Sequence, residues 1–509
     1  MDDSGEPPPC QYRPRRRARS WTLVAAGLAG RLVTLPRVPD EHDSFLFLRG
    51  VARFSVAESR PHWPCYPVYV WAGKLATAVL RDPLLALHVV SAASAALVAW
   101  PLALVVRSWA RSLGAPSPRD EWAGFGAAGL WLAAPVSWVT GSQIIADPLG
   151  LLCGVSVLAL AISGRSGRSR AWIAAAALGG LMLGVRLVNV TMLGPIAWKG
   201  WQARRERWWR LPAPACLLVA FAAGVLPWAA WLAAREPQAY VRAGRAHVRG
   251  HFHEWGESIL TDRDPAVRPW RAVAAFVIHG IGGGTPRMGW PRAAAAAGWM
   301  AALGIGIASA RPLARSRVAR LAFLWGAPHL LYLFLAHDVA FPKYTMPAVA
   351  LAAMAGGLAV LAPRPYGIAV VAAAVAATVL VSAPLAWHQR RQPPVEDAAA
   401  RFLAAQERAA LIIVEVPALP SYLHELAPAV RAMAVGDAAS IPRWSAPWQA
   451  EGRRVFATAV PPDEPSQWIP VAHFCRDPLI DPRLSAEVWL FAPVTQAPGP
   501  PVVACAEGG

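Results

Sequence analysis

The sequence predicts an all-α polytopic membrane protein of about eleven transmembrane helices, followed by a small α/β domain. Of its 509 residues, 55% are hydrophobic and only 16% are charged, whereas soluble proteins carry about 25% charged residues. Apolar runs close to the ~20 residues that cross a bilayer as a helix recur between residues 21 and 387. These features exclude an ordinary soluble globular protein.

The positions of the arginines predict the orientation of the chain. The formal net charge is +18, but the basic residues form short clusters between apolar runs, which is a topology signal rather than a nucleic-acid surface. The cluster at 13–19 predicts a cytoplasmic N-terminus over residues 1–20. Later clusters follow the second, fourth, sixth, eighth and tenth predicted helices. They comprise Arg107, Arg111 and Arg119; Arg165, Arg168 and Arg170; Arg204, Arg205, Arg207 and Arg210; Arg311, Arg315, Arg317 and Arg320; and Arg364.

This alternation divides the chain into three parts. Residues 21–390 form the predicted transmembrane domain of a multi-pass cell-membrane protein, with outward loops at 38–82 and 235–290. Residues 391–509 form a predicted extracytoplasmic α/β domain. Its expected elements are a helix at 396–408 and strands at 410–416, 430–435, 455–460 and 488–494. Cys475 and Cys505 lie in this tail, where export would allow a disulfide.

The first outward loop concentrates polar and aromatic residues. Asp40, Glu41 and Asp43 directly follow the predicted end of the first helix. Residues 45–54 have the spacing of an amphipathic helix lying on the membrane interface. The next segment, 60–69, combines three prolines with His62 and several aromatic rings. Topology alone also accounts for acidic residues and an aromatic belt at such a place.

Residues 43–75 resemble the first exported loop of the C-type glycosyltransferase superfamily, which uses polyprenyl-phosphate sugars. The resemblance is nearest to the bacterial relatives of protein O-mannosyltransferases and aminoarabinose transferases. In those relatives, interfacial helices flank a Pro-His-Pro-Pro-Gly-Tyr-Pro-type stretch. Here residues 61–67 read PHWPCYP, so Trp63 and Cys65 replace the usual Pro and Gly. The predicted helix plan agrees with the family over most of the chain.

The resemblance implies that Asp43 is the catalytic carboxylate, and Asp40 and Glu41 remain alternatives. A carboxylate suits a reaction in which an acceptor hydroxyl loses its proton while attacking an anomeric carbon. Asp147, before Pro148 in the loop after the third helix, is a second catalytic candidate. An N-cap at the start of the fourth helix is the alternative interpretation of that residue.

Arg186 and Lys343 are the candidates for binding the donor phosphate. Arg186 interrupts an apolar run near the outward end of the fifth helix, and Lys343 begins the tenth. Arginine supplies a two-pronged fork for phosphate oxygens and lysine a point charge. Snorkelling of Arg186 and interface anchoring by Lys343 are the alternatives.

Three further residues, His62, Tyr66 and His253, are predicted to contact substrate in the outward loops. His253 belongs to a stretch rich in His and Glu, between His247 and Glu257. No HExxH or CxxC motif is present, so no metal or cofactor is predicted, and a divalent cation is left open.

The expected function is therefore a cell-envelope glycosyltransferase, of the hexosyl- or mannosyltransferase kind. It would move a sugar from a polyprenyl-phosphate donor to a hydroxyl of a glycan, lipid or protein acceptor on the extracytoplasmic face, with inversion. Membrane lipids are the other expected partners. A transporter or flippase for lipid-linked sugar and a non-catalytic membrane scaffold remain as alternatives.

Overall fold

The computed structural model describes residues 15–164, 169–208, 211–254, 258–310, 316–363, 365–416, 418–477, 479–480, 486–496 and 502–504. Six of the arginines in the later basic clusters, together with Arg13 of the first cluster, Glu257 and Cys505, lie outside the described residues. The six are Arg165, Arg168, Arg210, Arg311, Arg315 and Arg364.

Twenty α-helices make up most of the described chain. They are α1 Arg15–Val33, α2 His42–Ala52, α3 Pro67–Leu80, α4 Pro83–Leu97, α5 Ala99–Ser112, α6 Arg119–Ala133, α7 Pro135–Trp138, α8 Asp147–Ser163, α9 Ser169–Val185, α10 Gly194–Gln202, α11 Ala213–Ala233, α12 Pro237–His253, α13 Arg268–Ala274, α14 Trp290–Ala310, α15 Arg317–Ala336, α16 Pro342–Gly357, α17 Tyr366–Arg391, α18 Val395–Ala404, α19 Leu419–Leu426 and α20 Ile441–Ala450. The predicted interfacial helix at 45–54 corresponds to α2.

Among the described residues, six helical stretches are long and apolar enough to cross a membrane. They are Pro83–Ser112, Ala213–Ala233, Trp290–Ala310, Arg317–Ala336, Pro342–Leu361 and Tyr366–Ala404. Arg119–Ala133 and Pro135–Ser142 form a seventh if this pair, bent by 69°, is one span. Shorter apolar helices lie at Trp21–Val33, Pro67–Leu80, Asp147–Ser163 and Arg170–Val185. The chain is a multi-pass membrane protein, and the total of about eleven spans stays a prediction.

The membrane helices pack closely through small residues and expose aliphatic side chains. A Cβ on Gly180 would lie 2.1 Å from the Phe221 carbonyl oxygen, and one on Gly224 would lie 2.0 Å from that of Ala177. These two glycines therefore let the backbones of α9 and α11 touch, as is typical of membrane helices. Leu218 on α11 is 67% exposed, which suits contact with lipid rather than water.

The helix that contains Arg186 is interrupted at that residue. α9 ends at Val185, Arg186 has an extended backbone (φ −160°, ψ 119°), and a 3₁₀-helix follows over Leu187–Leu193. The chain then continues as α10. The interruption places the guanidinium at a helix end, as the sequence predicts.

The tail contains a six-stranded mixed sheet. The described residues form eight strands. Two of them, β1 Arg207–Trp208 and β2 Leu211–Pro212, pair with each other before the tail. The six strands of the tail sheet are β3 Ala409–Ile413, β4 Arg431–Ala434, β5 Arg454–Ala457, β6 Trp468–Cys475, β7 Glu487–Pro493 and β8 Val502–Ala504. The sheet order is β4-β3-β5-β7-β6-β8. Strand β3 pairs in parallel with β4 and β5, and β7 pairs antiparallel with β5 and β6.

The four predicted strands all lie in this sheet, whereas β6 and β8 were not predicted. Pro470 and His473 interrupt the apolar pattern of β6, and the pairing register shifts between Pro470 and Ala472. A proline within a strand usually marks such an irregularity. Helix α18 begins one residue before the predicted helix and ends four residues earlier, at Ala404.

Candidate functional site

Three helix starts and one helix interruption meet at one end of the bundle. Asp43 lies in the first turn of α2, Asp147 is the first residue of α8, and Lys343 is the second residue of α16. Arg186 comes from the interruption after α9. Helix N-termini carry partial positive charge, so this arrangement favours an anion.

Lys343 joins the first outward loop to α16. Its Nζ donates to Glu41 Oε1 at 3.2 Å and lies 3.6 Å from Asp43 Oδ2. Nζ also lies 4.0 Å from the centroid of the Phe341 ring. The Lys343 side chain is 7% exposed, whereas that of Asp43 is 31% exposed. Asp43 therefore has one oxygen near a buried cation and keeps an open side.

Arg186 and Asp147 form a direct ion pair. Arg186 is buried, the Asp147 side chain is 13% exposed, and the Arg186 guanidinium carbon lies 5.2 Å from the centroid of the Tyr344 ring. The N-cap position of α8 is Ala146, so Asp147 is already helical and its carboxylate is turned to the arginine. This geometry supports the ion-pair role over a simple N-cap.

One narrow crevice connects the two cations. Its polar lining residues are Asp147, Arg186, Asn189, His329, Lys343 and Tyr344. A wider cleft of about 770 Å³, including its open mouth, shares Arg186 with this crevice and extends to Tyr66 and Trp63. The site that the sequence predicted from Asp43, Asp147, Arg186 and Lys343 is therefore brought together in space.

His62 and Tyr66 border Asp43. His62 Nδ1 lies 3.6 Å from Asp43 Oδ1, and the other ring nitrogen lies 3.1 Å from the Tyr66 hydroxyl. Burial lowers the pKa of His62 below 6.5, and the neighbouring Asp43 carboxylate opposes that shift. The imidazole is therefore neutral at neutral pH. Burial also raises the pKa of Tyr66, which keeps its hydroxyl protonated.

A row of rings extends from His62 to the crevice. His247 on α12 lies 6.2 Å from His62 and 5.9 Å from His251, measured between ring centroids, and is nearly parallel to both. His251 lies 4.9 Å from His337, which stacks on Tyr344 at 4.5 Å. Burial lowers the pKa of His247 to about 4. The row is therefore a neutral, polarisable wall beside the two cations.

The sequence prediction did not include His247, His251 or His337 as site residues. The first two are four residues apart, a spacing that places them on one face of a helix, and this was the available signal. His253, which was predicted, lies elsewhere. It lines an open groove of about 1080 Å³ with Trp63, Arg245 and other residues of α12.

Comparison with known proteins supports the fold. No protein-family model and no curated protein matches the chain. Among solved structures, ArnT from Cupriavidus metallidurans in the apo state matches with a TM-score of 0.52 and 17% identity, over 95% of this chain and 100% of that chain. The same protein bound to undecaprenyl phosphate matches at 0.49 and 16%, over 95% and 99%.

The chain shares the fold of ArnT. The resemblance to the C-type glycosyltransferase superfamily that residues 43–75 indicated is thereby confirmed at the level of the fold. The similarity extends over nearly the whole chain, including the tail.

The structure accommodates Trp63 and Cys65, the two departures from the loop that the sequence resembles. Cys65 and Tyr66 have positive φ angles of 71° and 44°, and the Cys65 amide donates to the His62 carbonyl at 2.8 Å. The turn therefore forms without the usual glycine, at a cost of about 1–2 kcal/mol per left-handed residue. Trp63 packs on Gly244 of α12, where a Cβ would lie 2.9 Å from the indole nitrogen.

The two alternative acids, Glu41 and Asp40, occupy different places in the structure. Glu41 is held by Lys343, as described above. Asp40 is 1% exposed, accepts from Gln389 Nε2 at 3.1 Å, and lies 3.9 Å from Arg476 of the tail. Asp40 therefore joins α17 to the tail instead of lining the crevice.

A cluster of ligand-type side chains in the tail does not form an ordinary metal site. His473, Cys475 and Glu487 bring suitable atoms within 4.8 Å of one another. Cys475 is disulfide-bonded, however, and metals bind the thiolate. The disulfide agrees with the prediction for Cys475, and Cys505 lies outside the described residues.

Proposed function

We propose that the protein transfers a sugar, of the hexose or mannose kind, from a polyprenyl-phosphate donor to an acceptor hydroxyl at the extracytoplasmic membrane face. One observation carries the proposal. Asp43, partly open, lies 3.6 Å from buried Lys343, and Lys343 lines the crevice together with Arg186. A base beside two cations is what transfer from a phosphate leaving group needs.

Each residue then has a separate task in the reaction. Arg186 and Lys343 bind the donor phosphate, with the helix starts adding their partial charge. The acceptor oxygen attacks the anomeric carbon from the side opposite the phosphate while Asp43 takes its proton. The bond from carbon to phosphate oxygen breaks, and the lipid phosphate leaves with both electrons. The sugar is transferred with inversion, as in inverting glycosidases.

The extracytoplasmic location rests on the arginine pattern and on the tail. The predicted cytoplasmic N-terminus places the crevice on the outer side. The disulfide of Cys475 supports an oxidising compartment for the tail. Fold alone does not decide sugar or acceptor, so both have to be identified by experiment.

The test begins with the host cell. Deletion of the gene should remove one sugar from a surface glycan, lipid or protein, as read by mass spectrometry, and the wild-type gene should restore it. Asp43→Asn should leave the modification absent, because a positioned base contributes about 10²- to 10⁴-fold. Asp463→Asn, an exposed acid of the tail, is the matched control and should restore it.

The alternatives predict other results. Full restoration by Asp43→Asn would contradict the transferase. Movement of polyprenyl-phosphate sugar across proteoliposomes without transfer would indicate a flippase instead. Donor binding by the wild-type protein with no turnover on any acceptor would indicate a scaffold.

A further inference from the structure

One face of α2 contacts the tail domain. The contacting side chains of α2 are spaced three and four residues apart, which places them in a single stripe along the helix. Their partners lie within five successive residues of α19. The two sets are His42, Phe45 and Arg49 on α2, and Ser421, Tyr422 and Glu425 on α19.

The contacts along this stripe are of three kinds. His42 Nδ1 lies 2.5 Å from Ser421 Oγ. Phe45 meets the Tyr422 ring edge to face, with centroids 4.9 Å apart and a 90° angle between the planes. Arg49 and Glu425 form an ion pair. Together they restrain both the position of α2 along its axis and its rotation about that axis.

The neighbouring stripe of α2 faces the site. It begins with Asp43 and continues with Phe47, whose ring centroid lies 5.0 Å from that of Tyr66. Gly50 follows one turn later, and a Cβ there would lie 2.6 Å from Pro61 Cδ and 2.9 Å from its backbone nitrogen. Helix α2 is therefore held between the proline segment of the site and α19 of the tail.

The connection before α2 is also held by the tail. Tyr422 donates its hydroxyl proton to the Pro39 carbonyl at 2.9 Å. Asp40 lies 3.9 Å from Arg476, which is buried. Residues of the tail thus contact the chain from Pro39, before α2, to Arg49 in the last turn of α2.

We propose that the C-terminal domain positions the catalytic helix: α19 sets the place of α2 and thereby holds Asp43 against Lys343. This inference rests on the proposed transferase function. An 11-residue helix is only marginally stable on its own, so its orientation depends on what it packs against. A base displaced by about 1 Å can lose about 10²-fold in rate. Ser421, Tyr422 and Glu425 are accordingly positioning residues.

Positioning by α19 has a specific kinetic signature. The Arg186–Asp147 pair belongs to the interruption after α9 and to α8, which α19 does not hold. Loosening α2 should therefore lower kcat, where the base acts, and leave KM for the lipid donor nearly unchanged. A general loss of folded protein would instead lower the amount of active enzyme without affecting the dynamics of α2 selectively.

The experiment reverses the Arg49–Glu425 pair in the full-length membrane protein. Glu425→Arg should lower kcat by about tenfold, at unchanged KM for the donor. The double variant Arg49→Glu/Glu425→Arg restores opposite charges and should recover most of that loss. Glu451→Arg is the matched control. Glu451, like Glu425, is a glutamate of the tail in an ion pair with an arginine, but its partner Arg431 belongs to the tail itself and the pair is exposed. Glu451→Arg should keep the wild-type kcat.

Two results would overturn the inference. One is a wild-type kcat in Glu425→Arg, and the other is a loss that the double variant does not recover. Hydrogen exchange of residues 42–52 supplies a readout that is independent of catalysis. Exchange should rise in Glu425→Arg and return in the double variant, and unchanged exchange would also overturn the inference. If the wild-type protein transferred no sugar, the proposed function would fail while exchange still decided the role of α19.

Discussion

The two cation–carboxylate pairs of the candidate site differ in how completely the negative charge of the acid is compensated. Asp147 is paired directly with Arg186, and its side chain is 13% exposed. Asp43 lies 3.6 Å from Lys343, is 31% exposed, and shares that lysine with Glu41. A carboxylate that must accept a proton from an acceptor needs an open side, and one that orients an arginine does not. The difference favours Asp43 as the proposed base and the Arg186 pair as part of the proposed phosphate site.

The largest effect that would sharpen this comparison is expected at Arg186. Arg186→Gln removes a charged donor at the proposed phosphate position, and should raise KM for the lipid donor by about 10- to 100-fold. Arg186→Lys should recover part of the loss, because lysine keeps the positive charge but cannot form the two parallel hydrogen bonds of a guanidinium. Steady-state kinetics with varied donor measures both effects. Arg107→Gln is the control, because Arg107 is also a buried arginine paired with an acid, Glu121.

A smaller effect is expected at Glu41. This carboxylate accepts from Lys343 at 3.2 Å and is 13% exposed, so it is less open to an acceptor than Asp43. Glu41→Gln keeps a hydrogen-bond acceptor there and should change kcat by less than about threefold. A loss as large as that of Asp43→Asn would transfer the role of base to Glu41.

The smallest effect is the pH dependence of the row of aromatic rings that lies next to Asp43 and Lys343. The pKa of His247 is lowered by burial from 6.5 to about 4, so the folded protein binds this proton less readily than the unfolded chain does. As the pH falls from about 6.5 to about 4, the unfolded chain gains a proton before the folded protein does. The free energy that holds α12 packed against the site therefore decreases. Hydrogen exchange of residues 237–253, corrected for intrinsic rates, should increase between pH 7 and pH 5. Constant protection would contradict the buried, neutral imidazole.

Much of this site could be predicted because charged residues interrupt apolar sequence. Arg186 and Lys343 stand at the ends of membrane runs, and such residues are costly inside a bilayer unless they have a function or reach the interface. The positive-inside pattern then placed them on the same side as Asp43 and Asp147. The family resemblance supplied the role of Asp43, which spacing alone did not.

The remaining features of the site could not be predicted from the sequence, because they depend on contacts between segments that are distant in the chain. The contact between His251 and His337 depends on the rotation of α12 about its axis. The loop at 235–290 was not predicted to contain this helix. Asp40 accepts from Gln389, which lies 349 positions later in the chain. Asp40, Glu41 and Asp43 look alike in sequence. Only their contacts in the structure distinguish Asp40, which joins α17 to the tail, from Asp43, the proposed base.

Parallel kinetics of Asp43→Asn and Asp147→Asn, with donor binding measured on the same preparations, test the central claim most directly. We expect Asp43→Asn to lose about 10²-fold or more in kcat while donor affinity stays near wild type. Asp147→Asn should weaken donor binding by about tenfold and retain most of kcat, because Arg186 loses its orienting partner. Near-normal turnover by Asp43→Asn together with abolished turnover in Asp147→Asn would contradict the assignment of the base.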